Sequence, residues 1–230
     1  MNKNVIYTAI IGNYDKLHDP IFVTPGWDYV CFSDDRKMNS DIWKIKYVDI
    51  DTNLSNRKNA YKFKHLYNQF VEEYEFSVWV DGYAEINFDF KHVYEYLKPE
   101  YDVIVLNHPK RKCLYDEAKY MTGLAGDPTG LVEKQIQQYR KDDVPEDFGL
   151  YALGMIARRK NQDNTIKHFE LVFYETIKYS SLDQVSFSYV LWKYNLIKVR
   201  TLPFRFWSKK MQGKDHHALT KEEVQKNATF

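Results

Sequence analysis

The chain has 230 residues, about the size of one domain and enough to bury a sizeable core without disulfide or metal staples. Its 33 Lys and Arg nearly cancel its 32 Asp and Glu, leaving +1, so no overall basic field marks a nucleic-acid or membrane partner and any phosphate affinity is local. No run of about 18 apolar residues occurs, the first apolar stretch is too short for a signal peptide, and the two cysteines, Cys31 and Cys113, lie far apart, so the expectation is a reduced, cytoplasmic protein without a membrane span.

In chain order, NVIYTAII (4–11) is a nearly continuous apolar and β-branched run closed by Gly12-Asn13, as expected of a buried parallel strand and a turn. WDYVCFSDD (27–35) predicts a second strand ending on Ser33-Asp34-Asp35, with Cys31 packed as a small hydrophobe. DIWKIKYVDI (41–50) alternates Ile42, Lys44, Lys46 and Val48 against Trp43, Ile45 and Tyr47, a strand with one wet face. A helix is predicted from its N-cap Ser55 through NRKNAYKFKHLYNQFVEEY (56–74), with Ala60, Phe63, Leu66, Tyr67 and Phe70 on one stripe and a basic side opposite. FSVWVDG (76–82) predicts a fourth strand, FKHVYEYLK (90–98) a helix stopped by Pro99, and YDVIVLNHP (101–109) a fifth strand.

Residues 112–141 read as mostly helical, with CLYDEAKYM and LVEKQIQQYRK parted by GDPTG, and FGLYALGMIARR (148–159) is of strand type. Two amphipathic helices follow, one carrying Ile166, Phe169, Val172, Phe173 and Ile177, the other Val185, Tyr189 and Trp192; LIKVRTLP (196–203) is a last strand. The alternation of strand and helix predicts an α/β domain with a mostly parallel central sheet flanked by helices. No repeat, linker or low-complexity segment divides it, so one domain is expected over 1–208, with a polar tail over 209–230 packing on or near the functional site.

In such a sheet, ligands gather outside the carboxyl ends of the strands. Asp15, Asp34, Asp35 and Asp81 all fall there. A carboxylate on that rim can ligate a hard divalent cation that neutralises a diphosphate, and Gly82 lets a ligand or another backbone come close; Asp81 is equally suited to a simple turn. On the first helix Arg57, Lys58, Lys62 and Lys64 are cations near an N-terminus, where phosphate is clamped; a solvated basic face is the plainer reading and the one preferred for Lys58. His108, Arg111, Tyr115 and Glu117 follow a buried strand, where an acceptor or a sugar could be hydrogen-bonded. Asp183-Gln184 sits in a first helical turn, which the macrodipole alone accounts for, and His216-His217 in the tail could supply an imidazole ligand or simply be exposed.

Taken in order, YTAIIGNYD, CFSDD, RKNAYKFKHL, VWVDG, HPKRKCLYDE and DQVSF resemble a glycosyltransferase-like family, formerly of unknown function, of bacterial, phage and plant mucilage-related proteins. The resemblance covers roughly residues 4–200 and implies a GT-A-like (Rossmann-like) enzyme that moves a sugar from a nucleotide-diphosphate donor to an acceptor hydroxyl, usually with Mn2+ or Mg2+. It implies a donor pocket lined by Thr8, Ala9, Ile10 and Tyr14, Asp34 or Asp35 near the base or ribose, Arg57 and Lys62 on the diphosphate, and Gly82 beside them. Asp81 would stand for the first acid of an Asp-x-Asp metal motif, but Tyr83 replaces the second, and the next carboxylate is Glu85; His216 or His217 would complete the metal shell. Asp183 would face the acceptor or the anomeric carbon, as the base that deprotonates the acceptor if the reaction inverts configuration or positioning and stabilising the oxocarbenium-like centre if it retains it, with Gln184, His108, Arg111, Tyr115 and Glu117 on the acceptor side. The acceptor itself, whether carbohydrate, lipid, protein or nucleic acid, is left open. Rival readings are a nucleotidyltransferase, for which IIGNYDKLHD is a poor glycine- and lysine-rich loop, and a non-catalytic nucleotide-sugar or nucleic-acid binding module, which Tyr83 favours.

Overall fold

The apolar runs form the strands they predict, and burial decides their order. The computed structural model describes residues 2–160 and 162–205. Its strands are β1 (Asn4–Ile10), β2 (Trp27–Ser33), β3 (Lys44–Tyr47), β4 (Phe76–Val80), β5 (Val103–Asn107), β6 (Tyr151–Arg159) and β7 (Val199–Leu202), in the order β3-β2-β1-β4-β6-β5-β7. β4, buried from end to end, and β1, buried from Val5 onwards, lie at the centre, while β3 is a short edge strand paired only with β2. The predicted strand over 41–50 thus shrinks to four residues, and Tyr47 is exposed, with its hydroxyl donating to Met38 O (2.9 Å).

Six of the strands run one way; β6 runs antiparallel to both β4 and β5. The reason is the connection. Asn107 pairs with Tyr151 and His108 N donates to Leu150 O (3.3 Å), so the whole 108–150 excursion leaves and re-enters at the same end of the sheet, between neighbouring strands. Its helices, α3 (Leu114–Ala125) and α4 (Leu131–Lys141), never carry the chain back across the sheet, as a parallel crossover requires.

Helices α1 (Asn56–His65), α5 (Asp163–Lys178) and α6 (Asp183–Tyr194) share one core with Val5, Tyr7, Trp79, Val103 and Ile156, and α2 (Lys91–Tyr96) contributes Val93 to a second core with Ile6, Ile10, Val78 and Ile104. Alternate strand residues supply the two faces, which is the period-2 rule at work. Cys31 packs in the second core as expected, and burial pushes its thiol up to about 12.

Helix α1 begins as predicted: Ser55 is the N-cap and its Oγ accepts from Lys58 N (3.3 Å). It ends at His65, not near Tyr74. The Lys64 carbonyl, which a longer helix would use internally, accepts instead from Arg158 Nη2 (2.8 Å), and Tyr67 turns inward over the same guanidinium. Nor is the basic side of α1 solvated: Lys58 and Lys64 are both buried, Lys58 with its ammonium on Ile177 O (3.2 Å), because α5 packs across that face.

Candidate active site

Three adjacent strands, β2, β1 and β4, deliver their carboxyl ends to one rim. Gly12, just past β1, has φ +66°, and a Cβ there would come within 2.0 Å of Asn56 Nδ2, so the first turn seats directly on the start of α1. Gly12 N donates to Asp34 Oδ1 (2.8 Å), which links the ends of β1 and β2. Asp35 caps its own turn by accepting from Lys37 N (2.8 Å). At the end of β4, a Cβ on Gly82 would meet Ile10 Cγ1 at 2.8 Å and Asp15 Oδ2 at 3.0 Å; the close neighbours that glycine admits are these side chains. Thr8, Ala9 and Ile10 are buried within β1, whereas Tyr14, beyond the turn, is exposed.

Asp81 leaves β4 with its N–H on Gly154 O (3.0 Å), which fixes its backbone to the first half of β6. Its Oδ1 accepts from Trp79 Nε1 (2.9 Å) and lies 3.4 Å from Lys64 Nζ. The same ammonium is 2.8 Å from Asp183 Oδ2, at the first turn of α6, and His65 Nε2 is 3.5 Å from that oxygen. The Lys64 and His65 contacts on Asp183 are close without being directed enough to satisfy Oδ2 as hydrogen bonds, so the pair is held by charge. Lys64 and Asp183 are almost fully buried, with side chains 4% and 5% exposed; Asp81, at 30%, is the open end of the cluster. Lys64, one of four α1 cations in the sequence, had no role of its own assigned there; Arg57 and Lys62 were expected on the diphosphate.

Burial by itself would weaken both charges, raising Asp183 and lowering Lys64. Their mutual attraction wins: Lys64 and His65 hold the Asp183 carboxyl well below the carboxylate range, and Asp183 with Asp81 holds Lys64 above its ordinary value. Two rings flank the ammonium, Tyr61 at 5.3 Å and Trp79 at 5.7 Å from their centroids. Arg57, one turn earlier on α1, donates from Nε to Tyr61 Oη (2.8 Å), and Tyr61 in turn donates to Ser181 O (3.1 Å), just ahead of α6. Lys62 points elsewhere, with its nearest acid Asp51 at 3.9 Å.

Beneath this cluster the polar groups are buried and under-satisfied. Arg158 is fully buried between Tyr67 and Phe169, its Nε and Nη1 unpartnered, as are His168, Tyr7 Oη and Thr8 Oγ1. Burial drives His65 down to about 4 and His168 to about 3, so both are neutral at neutral pH. Gln184 Oε1, next to Asp183, is likewise buried without a hydrogen-bond partner.

The expected acceptor residues form a second cluster at the ends of β5 and α3, two strand positions, or roughly 10 Å, along the rim from Asp81. Arg111 Nε is hydrogen-bonded to Glu117 Oε2, His108 Nε2 is 3.5 Å from the same oxygen, and His108 Nδ1 accepts from Arg111 N (2.9 Å). Arg111 also lies 4.0 Å over the Tyr120 ring. Tyr115 is buried with its hydroxyl on Val144 O (2.9 Å), a packing position.

A divalent cation at Asp81 fits the described residues poorly. Hard cations take several oxygen ligands. Asp81 Oδ1 already meets Trp79 and Lys64, Tyr83 stands two residues on, and Asp183 faces Lys64. Among the described residues no three His, Cys, Asp or Glu side chains gather as a metal site, and His216, His217 and the tail over 209–230 lie outside those residues.

The architecture has solved counterparts. The apo structure of the bifunctional glycosyltransferase WbbM superposes with a TM-score of 0.51 at 12% identity over 98% of this chain and 43% of that one, so the chain spans less than half of that relative's length. Apo mouse xyloside xylosyltransferase 1 gives 0.49 at 9% identity over 95% and 99%. The fold is GT-A, a single α/β domain on a mostly parallel seven-stranded sheet. Comparison with curated proteins gives no match. No described helix is long and apolar enough to cross a membrane. The family model for the TOD1/MUCI70 glycosyltransferase-like domain matches residues 31–212, from β2 past β7 and through both members of the buried Lys64–Asp183 pair, and the chain belongs to that family.

Proposed function

We propose that the chain transfers a sugar from a nucleoside-diphosphate donor to an acceptor hydroxyl at the rim beside Asp81. The observation that carries this reading is the alignment of two acids from different elements, Asp81 and Asp183, on one buried ammonium, with Arg57 near Asp183. In the reaction the bond from the anomeric carbon to the diphosphate oxygen breaks, its electron pair leaves with the diphosphate, and the acceptor oxygen forms the new bond. Arg57, near the start of α1, is suited to the departing diphosphate. Asp81, the accessible carboxylate, is suited to the sugar or to the positive charge that develops at the anomeric carbon.

Asp183 is a weak candidate for general base, since Lys64 and His65 hold its proton affinity low and bury it. Its fitting role is to anchor Lys64. The acceptor's proton then goes to the departing diphosphate oxygen rather than to Asp183, and Gln184 Oε1, buried without a partner, is the group we assign to accept from a sugar or acceptor hydroxyl. Incubation with a panel of nucleotide sugars tests the reading. Slow donor hydrolysis that Asp81→Ala abolishes supports it. Donor binding without turnover in any condition replaces it with a binding module, and pyrophosphate release from a nucleoside triphosphate and a sugar phosphate replaces it with a nucleotidyltransferase.

A further inference from the structure

A cleft that handles diphosphate with one acid on its rim and a second buried behind it has a charge problem. Asp81 and Asp183 carry two negative charges, come from β4 and α6, and present Oδ1 and Oδ2 to a common point. Left alone, they would repel one another and the incoming donor. A divalent cation bridging them is one solution; here that point is already taken by Lys64 Nζ, 3.4 Å from one acid and 2.8 Å from the other.

We infer that Lys64 is the resident cation of this cleft, standing between Asp81 and Asp183 where a divalent metal would bridge them, so that donor binding needs no metal there. This rests on the glycosyltransferase reading for the word donor, but not for the position of the cation. Two independent features support it. The surroundings of the ammonium suit an organic cation rather than a hydrated metal: the Tyr61 and Trp79 rings flank it, and a hard cation gains little from aromatic faces while demanding oxygen ligands. Asp81 is also fixed from its other side by Trp79 Nε1, donating to the same Oδ1 that faces Lys64. The carboxylate is thereby turned towards the ammonium. Lys64 is a positioning residue, since at 4% side-chain exposure it acts through the two acids.

The test reads metal binding directly. Mn2+ titrated into the wild-type protein, with and without nucleoside diphosphate, is followed by electron paramagnetic resonance and calorimetry. Wild type is expected to hold no Mn2+ beyond that carried by the nucleotide, and any donor turnover is expected to persist in EDTA within about twofold. Lys64→Ala opens the point between the acids and is expected to bind Mn2+ at least about tenfold more tightly than wild type, a gain that a second change, Asp81→Ala, removes. One-to-one Mn2+ binding by wild type that Asp81→Ala abolishes overturns the inference, as does a folded Lys64→Ala protein with no affinity for Mn2+, or turnover that EDTA stops. Should Lys64→Ala fail to fold, the wild-type titration decides alone. If no nucleotide sugar binds or reacts under any condition, the glycosyltransferase reading fails, while the Mn2+ titrations still show which cation the acids hold.

Discussion

At the scale of single residues, the site turns on unequal exposure. Asp81 is reachable and Asp183 is not, so losing the carboxylate has different consequences at the two positions. Asp81→Ala is expected to remove turnover while the protein still folds, about 1–3 kcal/mol less stable because Trp79 Nε1 loses its acceptor, measured by donor hydrolysis beside a melting curve. Asp183→Asn leaves the buried Lys64 ammonium with Asp81, at 3.4 Å, as its remaining acid, and breaking such a pair costs about 3 kcal/mol or more, read as a lowered urea midpoint with an unchanged slope. Donor affinity in that variant should hold while its rate falls. Asp81 was legible in sequence because an apolar run that stops on an acid marks a strand end. The role of Lys64 was not, because helical spacing assigns it only to the basic side of α1, and nothing local shows that α5 will cover that side.

At the scale of elements, α1 is the piece that carries cations to the rim, and its start is fixed twice. Ser55 caps it, and Gly12 lets the turn after β1 lie against Asn56. Ser55→Ala should lower stability by about 1 kcal/mol in denaturant titration. Gly12→Ala meets both a positive φ and a side chain at 2.0 Å, so its cost should reach about 2 kcal/mol or more, with donor binding weakened further as the start of α1 moves off the rim. A Gly12→Ala protein as stable and as active as wild type would show that the turn does not position α1. The Ser55 cap follows from local chemistry and was readable. The early stop of α1 depends on Arg158, which arrives from β6 to take the Lys64 carbonyl, and the reversed direction of β6 depends on where the 108–150 excursion returns. Both are set by partners distant in sequence.

At the scale of the whole molecule, the layer under the site holds neutral histidines and a buried guanidinium, which makes stability depend on pH. His65 and His168 have lowered values in the folded chain and ordinary ones near 6.5 when unfolded, so between those limits the unfolded state binds more protons. Their contribution is intact above about pH 6.5 and is lost as pH falls towards 4 for His65 and 3 for His168. Glu175, raised by burial, acts in the opposite sense and softens the loss. Unfolding measured at pH 7 and pH 4.5 should show a fall on the order of a few kcal/mol, and His168→Phe should flatten it. A saturating nucleoside diphosphate should raise stability by about 2.7 kcal/mol at a hundredfold excess over its dissociation constant, and no shift with any nucleotide would count against a donor cleft. By itself the sequence determined the strands, the Ser55 cap, the α/β alternation and a rim where Asp34 and Asp81 end their strands, because each is written in residue spacing within a few turns or pleats. Only the tertiary structure decided which charges meet. Lys64 reaches Asp183 because α5 packs on α1 and α6 packs on α5, and burial in that contact sets the strength of their attraction.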